Sequence, residues 1–238
     1  HKVKCRLSST MSKHAAIERA GLAITFILIC ASIYLIFMVV PNERVMGAVQ
    51  RIFYFHVGSA IAAYCAIGLV LICSLGYIAT RDLRYDAVLT AASEVGFLFC
   101  TIVLASGMIW GKAAWNTWFR WEPRLVSFVI LWLIFFASLV LRHFGEQTKI
   151  AGQAAVLGIL GAVNVPLVIY SVKLLPQSAQ LHPEVVEKQG LKDPSFVQTM
   201  LLAMFAIVLL QFLLVWIRAR VEFQSRAVDK AWIEHEYT

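Results

Sequence analysis

Hydrophobic residues gather along the chain into six long runs of about 20 residues each, the length an α-helix needs to cross the hydrocarbon core of a bilayer. Proline, glycine and charged residues fall between the runs. A transmembrane β-strand would instead show about ten residues of alternating polarity. The pattern predicts an all-α polytopic membrane protein in which residues 1–238 form one six-helix bundle. The predicted spans are residues 20–40, 55–79, 87–109, 125–141, 150–172 and 196–217.

Composition supports a membrane location. The chain is 60% hydrophobic and 15% charged, with a mean hydropathy of +0.75, whereas soluble domains are about 45–50% apolar and about 25% charged. A net charge of +7 would favour nucleic acid in a soluble protein. Here the basic residues lie in short segments between apolar runs, where they orient helices and contact anionic lipid. We therefore expect the lipid bilayer, and no nucleic acid, as a partner.

An even number of spans places both termini on the same side of the membrane. Thirteen of the 21 Lys and Arg residues fall on that side, and the other eight fall opposite. The positive-inside rule then predicts that segments 1–19 and 218–238 are cytoplasmic. The outer segments are residues 41–54, 110–124 and 173–195. Because these outer segments are also basic, their positive charges need another explanation, and an anionic ligand at the outer face is one candidate.

Few reactive side chains lie inside the apolar runs. The five cysteines show no CxxC or CxxCH spacing, and four of them lie within runs. This excludes covalent c-type haem attachment and disfavours zinc or thioredoxin-like sites. Glu94 is a functional candidate, because ionisable groups are costly inside a membrane. The alternative is that Glu94 reaches the interface or pairs with Arg81 or Arg84.

Tryptophan is concentrated in the middle outer segment. Four of the seven tryptophans fall between Trp110 and Trp121. If this stretch is a helix in the membrane plane, its indoles share an arc of about 140° and form a flat apolar shelf suited to a planar ligand. Pro123 should end that helix at Glu122 and begin the fourth span. The predicted fold thus includes a short, amphipathic, tryptophan-rich outer helix; the alternative is an ordinary interfacial aromatic belt.

Two of the six histidines face outward in this topology. His56 lies at the mouth of the second span, embedded among apolar and aromatic residues, and His182 lies in the third outer segment. A loop histidine such as His182 is most often only solvated. However, two imidazoles, a flat aromatic surface and outward arginines meet the needs of haem, which are axial nitrogens, apolar faces and cations for the propionates. Two histidines alone make a poor zinc site.

One stretch of the middle outer segment has a specific pattern of tryptophan, glycine and charge. It consists of Trp110, Gly111, Lys112, Trp115, Asn116, Thr117, Trp118, Trp121, Glu122, Pro123, Arg124 and Leu125. This pattern resembles the WWD signature of the cytochrome c assembly family, in particular its haem-handling CcmC-type members. The likeness extends over nearly the whole chain, including residues 51–57, 164–166, 170–172 and His182. The sequence departs from the family in having Glu122 where aspartate is usual, which places the carboxylate one methylene further out.

The resemblance implies a site and a set of partners. His56 and His182 are the expected axial ligands of a non-covalent haem b. Segment 110–124 is the expected platform for haem and for docking of the haem chaperone CcmE. The implied assembly also contains CcmD and the ABC transporter CcmAB in the bacterial inner membrane, with haem held at the periplasmic face for cytochrome c maturation. No catalytic residue is expected. The other expected contacts are Trp110, Gly111, Trp115, Trp118, Trp121, Arg120, Arg124, Arg51 and Lys112, with Glu122 pairing with one of these cations.

Three other classes fit the sequence less well. A b-type redox cytochrome would pair histidines deep within its helices, and this sequence has no histidine deep in a span. Haem lyases of the same family carry more spans and further histidines. A channel or transporter would show an inverted repeat or a line of polar residues across the bundle.

Overall fold

A computed structural model of the chain describes residues 2–44, 46–146, 149–174 and 194–236. This part of the chain is almost entirely helical and contains no β-strand. Six of its helices are long and apolar enough to cross a membrane, which confirms the predicted all-α, six-helix transmembrane fold. The helices are α1 (Lys2–Tyr34), α2 (Ile52–Thr80), α3 (Leu83–Trp115), α4 (Pro123–Phe144), α5 (Ile150–Leu174) and α6 (Pro194–Glu236).

Several helices continue beyond the predicted spans. Helix α1 extends back to Lys2 and α6 extends to Glu236, so most of the two segments predicted to be cytoplasmic is helical. At 1.5 Å per residue, the 43 residues of α6 measure about 64 Å, roughly twice the thickness of a bilayer core. The last half of α6 therefore projects well beyond the lipid.

Helix α2 forms the centre of the bundle and packs against α3, α5 and α6. Fully buried alanines on α2 and α3, among them Ala62, Ala66 and Ala91, belong to one core cluster. Small residues of this kind let transmembrane helices approach closely. A Cβ added at Gly96 would lie 2.5 Å from Cζ of Phe135, so this ring of α4 packs directly on the backbone of α3.

Large apolar side chains also cover much of the outer surface. Phe26, Val163 and Phe205, on three different helices, are each at least 60% exposed. Such a surface is unfavourable in water but is solvated by lipid tails. The exposed apolar surface and the six long helices together describe a multi-pass membrane protein.

A buried carboxylate near the start of α3 joins three helices. Asp86 Oδ1 accepts a hydrogen bond from Arg142 of α4 at 2.8 Å, and Asp86 Oδ2 accepts one from Arg226 of α6 at 2.7 Å. The Asp86 side chain is 5% exposed. The two arginines compensate a charge that could not otherwise be buried.

Glu94, further along α3, makes a second connection to α6. Its two oxygens accept hydrogen bonds from Nε and Nη2 of Arg218 at 2.6 and 2.7 Å, a bidentate arrangement. The pairing with Arg81 or Arg84 that the sequence offered as an alternative is wrong. Arg84 is ten residues earlier on the same helix, about 15 Å along its axis, and pairs with Asp82 instead.

Candidate functional site

His56 lies in the second turn of α2 and faces α3. Its side chain is buried, with 8% of the residue exposed. Its Nδ1 is 3.0 Å from Oγ of Ser106, and its ring centroid is 5.8 Å from that of Trp110. Gly107 lies between these two neighbours, and a Cβ added there would be 3.0 Å from Cε1 of His56. The spacing of three and four residues places these positions on one face of α3.

Trp110 is the tryptophan that contacts His56. It is 3% exposed and makes edge contacts with Phe53 at 5.8 Å and with His56. On its other side, Trp115 packs with a centroid distance of 5.6 Å. The imidazole therefore lies beside a wall of aromatic rings at the beginning of α2 and the end of α3.

The tryptophan segment does not form the separate in-plane helix predicted over residues 110–121. Helix α3 continues through Trp110 to Trp115 and ends at Asn116, which adopts a left-handed conformation with φ 55° and ψ 27°. The backbone N–H groups of Asn116 and Thr117 close the helix end on the carbonyls of Lys112 and Gly111, a helix-ending geometry that asparagine tolerates better than most residues. A Cβ at Gly111 would lie 3.0 Å from the carbonyl oxygen of Thr117, so glycine gives the returning chain room.

Because the helix ends at Asn116, the four indoles do not share one shelf. Trp110 and Trp115 lie on α3 and pack together, whereas Trp118 and Trp121 lie in the following irregular segment and are 59% and 86% exposed. The prediction that a helix through the tryptophans ends at Glu122 is wrong, whereas the prediction that Pro123 begins the fourth span is confirmed. Glu122 is extended and Pro123 occupies the first turn of α4.

Among the outward cations that the structure describes, Arg124 is the one associated with His56. It is half-buried at the start of α4 and interacts electrostatically with both His56 and Tyr64. Within the described parts of the chain, no carboxylate lies within ion-pair distance of Arg124. A guanidinium withdrawn from water without a countercharge is costly, and an anionic ligand would compensate it.

The other candidate charges are engaged elsewhere. Arg120 approaches the buried Glu122 at 3.8 Å, in agreement with the expected pairing of this glutamate with a cation. Lys112 donates a hydrogen bond to the side chain of Asn116 at 2.7 Å. Arg51 donates to Asn42 at 3.1 Å and lies over the ring of Phe37.

His182 lies outside the described residues, so the expected convergence of His56 and His182 stays a prediction. Sequence reasoning missed Ser106 and Gly107. Their positions four and three residues before Trp110, on the same helical face, were the available signal.

The described side chains fit haem better than a simple metal ion. Among the described residues, no group of three or more His, Cys, Asp or Glu side chains could hold a metal. A buried imidazole, an indole wall and an arginine without a carboxylate partner among the described residues would suit the iron, the macrocycle and a propionate of haem, respectively.

Comparison with known proteins gives consistent matches over most of the chain. A family model, CcmC, described as heme exporter protein C, matches residues 6–234. Heme exporter protein C of Paracoccus denitrificans is 31% identical over 191 residues, which cover 78% of each chain. The Escherichia coli (strain K12) protein of that name is 28% identical over 194 residues, 81% of this chain and 78% of the relative. The Bradyrhizobium diazoefficiens protein is 33% identical over 133 residues, 56% of this chain and 51% of the relative.

Proposed function

Since the chain belongs to the CcmC family, heme exporter protein C, we propose that it holds haem at the outer, periplasmic face of the cell inner membrane and delivers it to the haem chaperone CcmE. The family and the names of its relatives support a role in haem handling for cytochrome c maturation rather than catalysis. The observation that carries the proposal is the corner formed by His56, Trp110 and Arg124. It combines a buried imidazole, an aromatic wall and a half-buried guanidinium without a carboxylate partner among the described residues.

The residues divide the task of holding haem. His56 from α2 and His182 from the third outer segment would hold the iron of a non-covalent haem b through their imidazole nitrogens. Trp110 and Trp115 provide an apolar surface for the macrocycle, and Arg124 pairs with a propionate. Two neutral imidazoles would retain haem without a covalent link between haem and protein, so the haem could be passed on.

The exposed part of the connecting segment serves a different purpose. Trp118 and Trp121 are more than half exposed and follow Trp110 and Trp115 in the chain. Exposed aromatic side chains are common anchors of protein interfaces. We assign these two indoles, with Arg120, to the docking of CcmE. The long cytoplasmic end of α6 lies on the opposite side, where CcmAB is to be contacted, and CcmD completes the assembly within the membrane.

The haem ligands are tested by purifying the protein in mild detergent and measuring bound haem and its Soret band. We expect His56→Ala and His182→Ala each to lose most of the haem, because one axial nitrogen is removed. His143→Ala is the matched control, since His143 is exposed at the far end of α4. Unchanged haem content and Soret position in both ligand variants would refute the assignment.

The role of Arg124 is tested by Arg124→Gln, which removes the charge and keeps a polar side chain of similar length. Haem should be lost faster on dilution, because a propionate loses its cation. Arg84→Gln, a change at an 83% exposed side chain, is the control. Equal retention by both variants would show that Arg124 has another partner.

Delivery is tested by co-purification of CcmE with haem-loaded protein. The double variant Trp118→Ala/Trp121→Ala should capture less CcmE and still retain haem, because its two indoles are exposed. Trp232→Ala changes a 72% exposed indole at the end of α6 and should capture as much as the unaltered protein. If only Trp232→Ala captures less CcmE, the docking surface lies at the end of α6 and the assignment to Trp118 and Trp121 is wrong.

A further inference from the structure

The imidazole of His56 occupies a narrow slot on α3. Ser106 closes one edge through its contact with Nδ1 at 3.0 Å, Gly107 leaves room for Cε1, and Trp110 flanks the ring. Three successive contacts on one helical face therefore fix the position and rotation of this ring.

The hydrogen bonds of Ser106 indicate which nitrogen of His56 carries the proton. The Ser106 hydroxyl lies 2.7 Å from the carbonyl of Ile102, with the carbonyl of Val103 at 3.3 Å as a weaker acceptor. A hydroxyl has only one hydrogen. With that hydrogen on the shorter contact to Ile102, the hydroxyl oxygen is an acceptor towards His56, and Nδ1 is the donor. In a neutral imidazole with a proton on Nδ1, the lone pair is on Nε2.

We propose that Ser106 is a positioning residue that holds His56 in the tautomer protonated at Nδ1, so that Nε2 is the nitrogen that binds haem iron. This inference rests on the proposed function, because it assumes that His56 is an axial ligand. Metal-binding histidines commonly donate their second N–H to an oxygen acceptor, which orients the ring and raises its basicity. Here that acceptor is a side chain on the neighbouring helix, one turn before Trp110.

Gly107 is the steric counterpart of Ser106. A Cβ at this position would lie 3.0 Å from Cε1 of His56, closer than most carbon contacts. The imidazole lies between α2 and α3 in a buried position and has little room to retreat. An added methyl group would therefore tilt the ring away from Ser106 and lengthen the hydrogen bond at Nδ1.

The test compares Ser106→Ala, Ser106→Cys and Ser106→Thr by bound haem, Soret position and reduction potential. Alanine removes the acceptor and cysteine replaces it with a weak one. We expect both to bind haem at least about tenfold more weakly and to shift the potential to more positive values, because a less basic imidazole stabilises ferric iron less. Threonine keeps the hydroxyl and should restore both quantities.

Thr90→Ala is the matched control, because Thr90 donates to the carbonyl four residues earlier on the same helix and is about 24 Å from Ser106 along its axis. It should leave potential and spectrum unchanged. Gly107→Ala should reproduce the spectral change of Ser106→Ala while leaving the hydroxyl in place.

The outcomes separate this inference from the proposed function. If His56→Ala loses haem while Ser106→Ala and Ser106→Cys keep the potential and affinity of the unaltered protein, His56 is a ligand and the role of Ser106 is wrong. If His56→Ala retains haem with an unchanged spectrum, the ligand assignment fails and the inference fails with it. A loss in Ser106→Thr equal to that in Ser106→Ala would show that packing, and not the hydroxyl, matters at this position.

Discussion

Replacing Asp86 by asparagine removes the negative charge that holds α3, α4 and α6 together. The side chain of Asp86 is 5% exposed and that of its partner Arg142 is 12% exposed. Removing one partner of a buried ion pair costs about 3–5 kcal/mol, because the other charge stays buried without compensation. We expect the lower end, about 3 kcal/mol, since asparagine still offers one acceptor oxygen and Arg226 keeps Glu222 at 2.9 Å. Most of the loss falls on Arg142.

The assay is equilibrium unfolding of the purified protein in mixed micelles. Asp82→Asn is the control, because it removes the same charge from a carboxylate whose partner Arg84 is 83% exposed while asparagine still caps α3. It should leave the unfolding midpoint nearly unchanged. The double variant Asp86→Asn/Arg142→Gln should cost less than the sum of the two single changes, because the two sites share one interaction. Equal midpoints for Asp86→Asn and Asp82→Asn, or strict additivity in the double variant, would refute the reasoning.

Three further changes test the close contacts of the fold by unfolding in the same micelles. Asn116→Val should cost about 1–2 kcal/mol, because a β-branched residue is strained in the left-handed conformation, whereas Asn116→Gly should be tolerated; equal stability of the two would argue against this helix end. Asn164→Leu should cost about 0.5–1.5 kcal/mol, because it removes the amide that donates a hydrogen bond to a backbone carbonyl of α4 at 2.8 Å. An unaffected midpoint would contradict a stabilising role for this bond. Gly158→Val should cost about 1–3 kcal/mol through overpacking, because a Cβ at this position would lie 2.4 Å from Oγ of Ser74. Gly152→Val is the control, because Gly152 faces open space on the same helix and the change there adds no steric clash. Similar losses of stability in the two variants would refute the overpacking.

The number and type of the helices follow from the sequence because lipid imposes a simple requirement. A segment that crosses the bilayer needs about 20 apolar residues and must satisfy its own backbone hydrogen bonds. Each of the six runs meets this requirement, and each is a helix in the structure. Pro123 marked the start of α4 correctly, because proline suits the first turn of a helix and disfavours helical geometry at the preceding residue.

The end of α3 could not be located in the same way. Helical periodicity places the four tryptophans on one arc, and nothing in that pattern distinguishes a continuous helix from one interrupted at Asn116. The interruption depends on a local choice of backbone conformation, which asparagine allows but does not require. The one local signal is Asn116, a residue type that commonly ends helices in the left-handed conformation, five residues after Gly111. That signal predicts a helix end between Trp115 and Trp118.

Contacts between helices were the other part that the sequence left open. Glu94 and Arg218 are 124 residues apart, and Ser106 is 50 residues from His56. Each helix has several faces. The side that faces lipid and the side that faces the other helices are both apolar, so the hydrophobic pattern hardly distinguishes them. Which face of α2 meets which face of α3 is decided by packing of the whole bundle. The aromatic surroundings of His56 were visible in the sequence, whereas its hydroxyl neighbour was not.

The wall beside His56 is part of a regular helix, and this restricts how the protein can vary. Inserting one residue anywhere between Asp86 and Ser106 would rotate everything beyond it by about 100° and carry Ser106 and Trp110 away from the imidazole. Homologous chains should therefore differ along this stretch by exchange of side chains and keep its length constant. The irregular residues 117–122 carry no such constraint, so changes in length, and with them changes in the surface offered to other proteins, belong there.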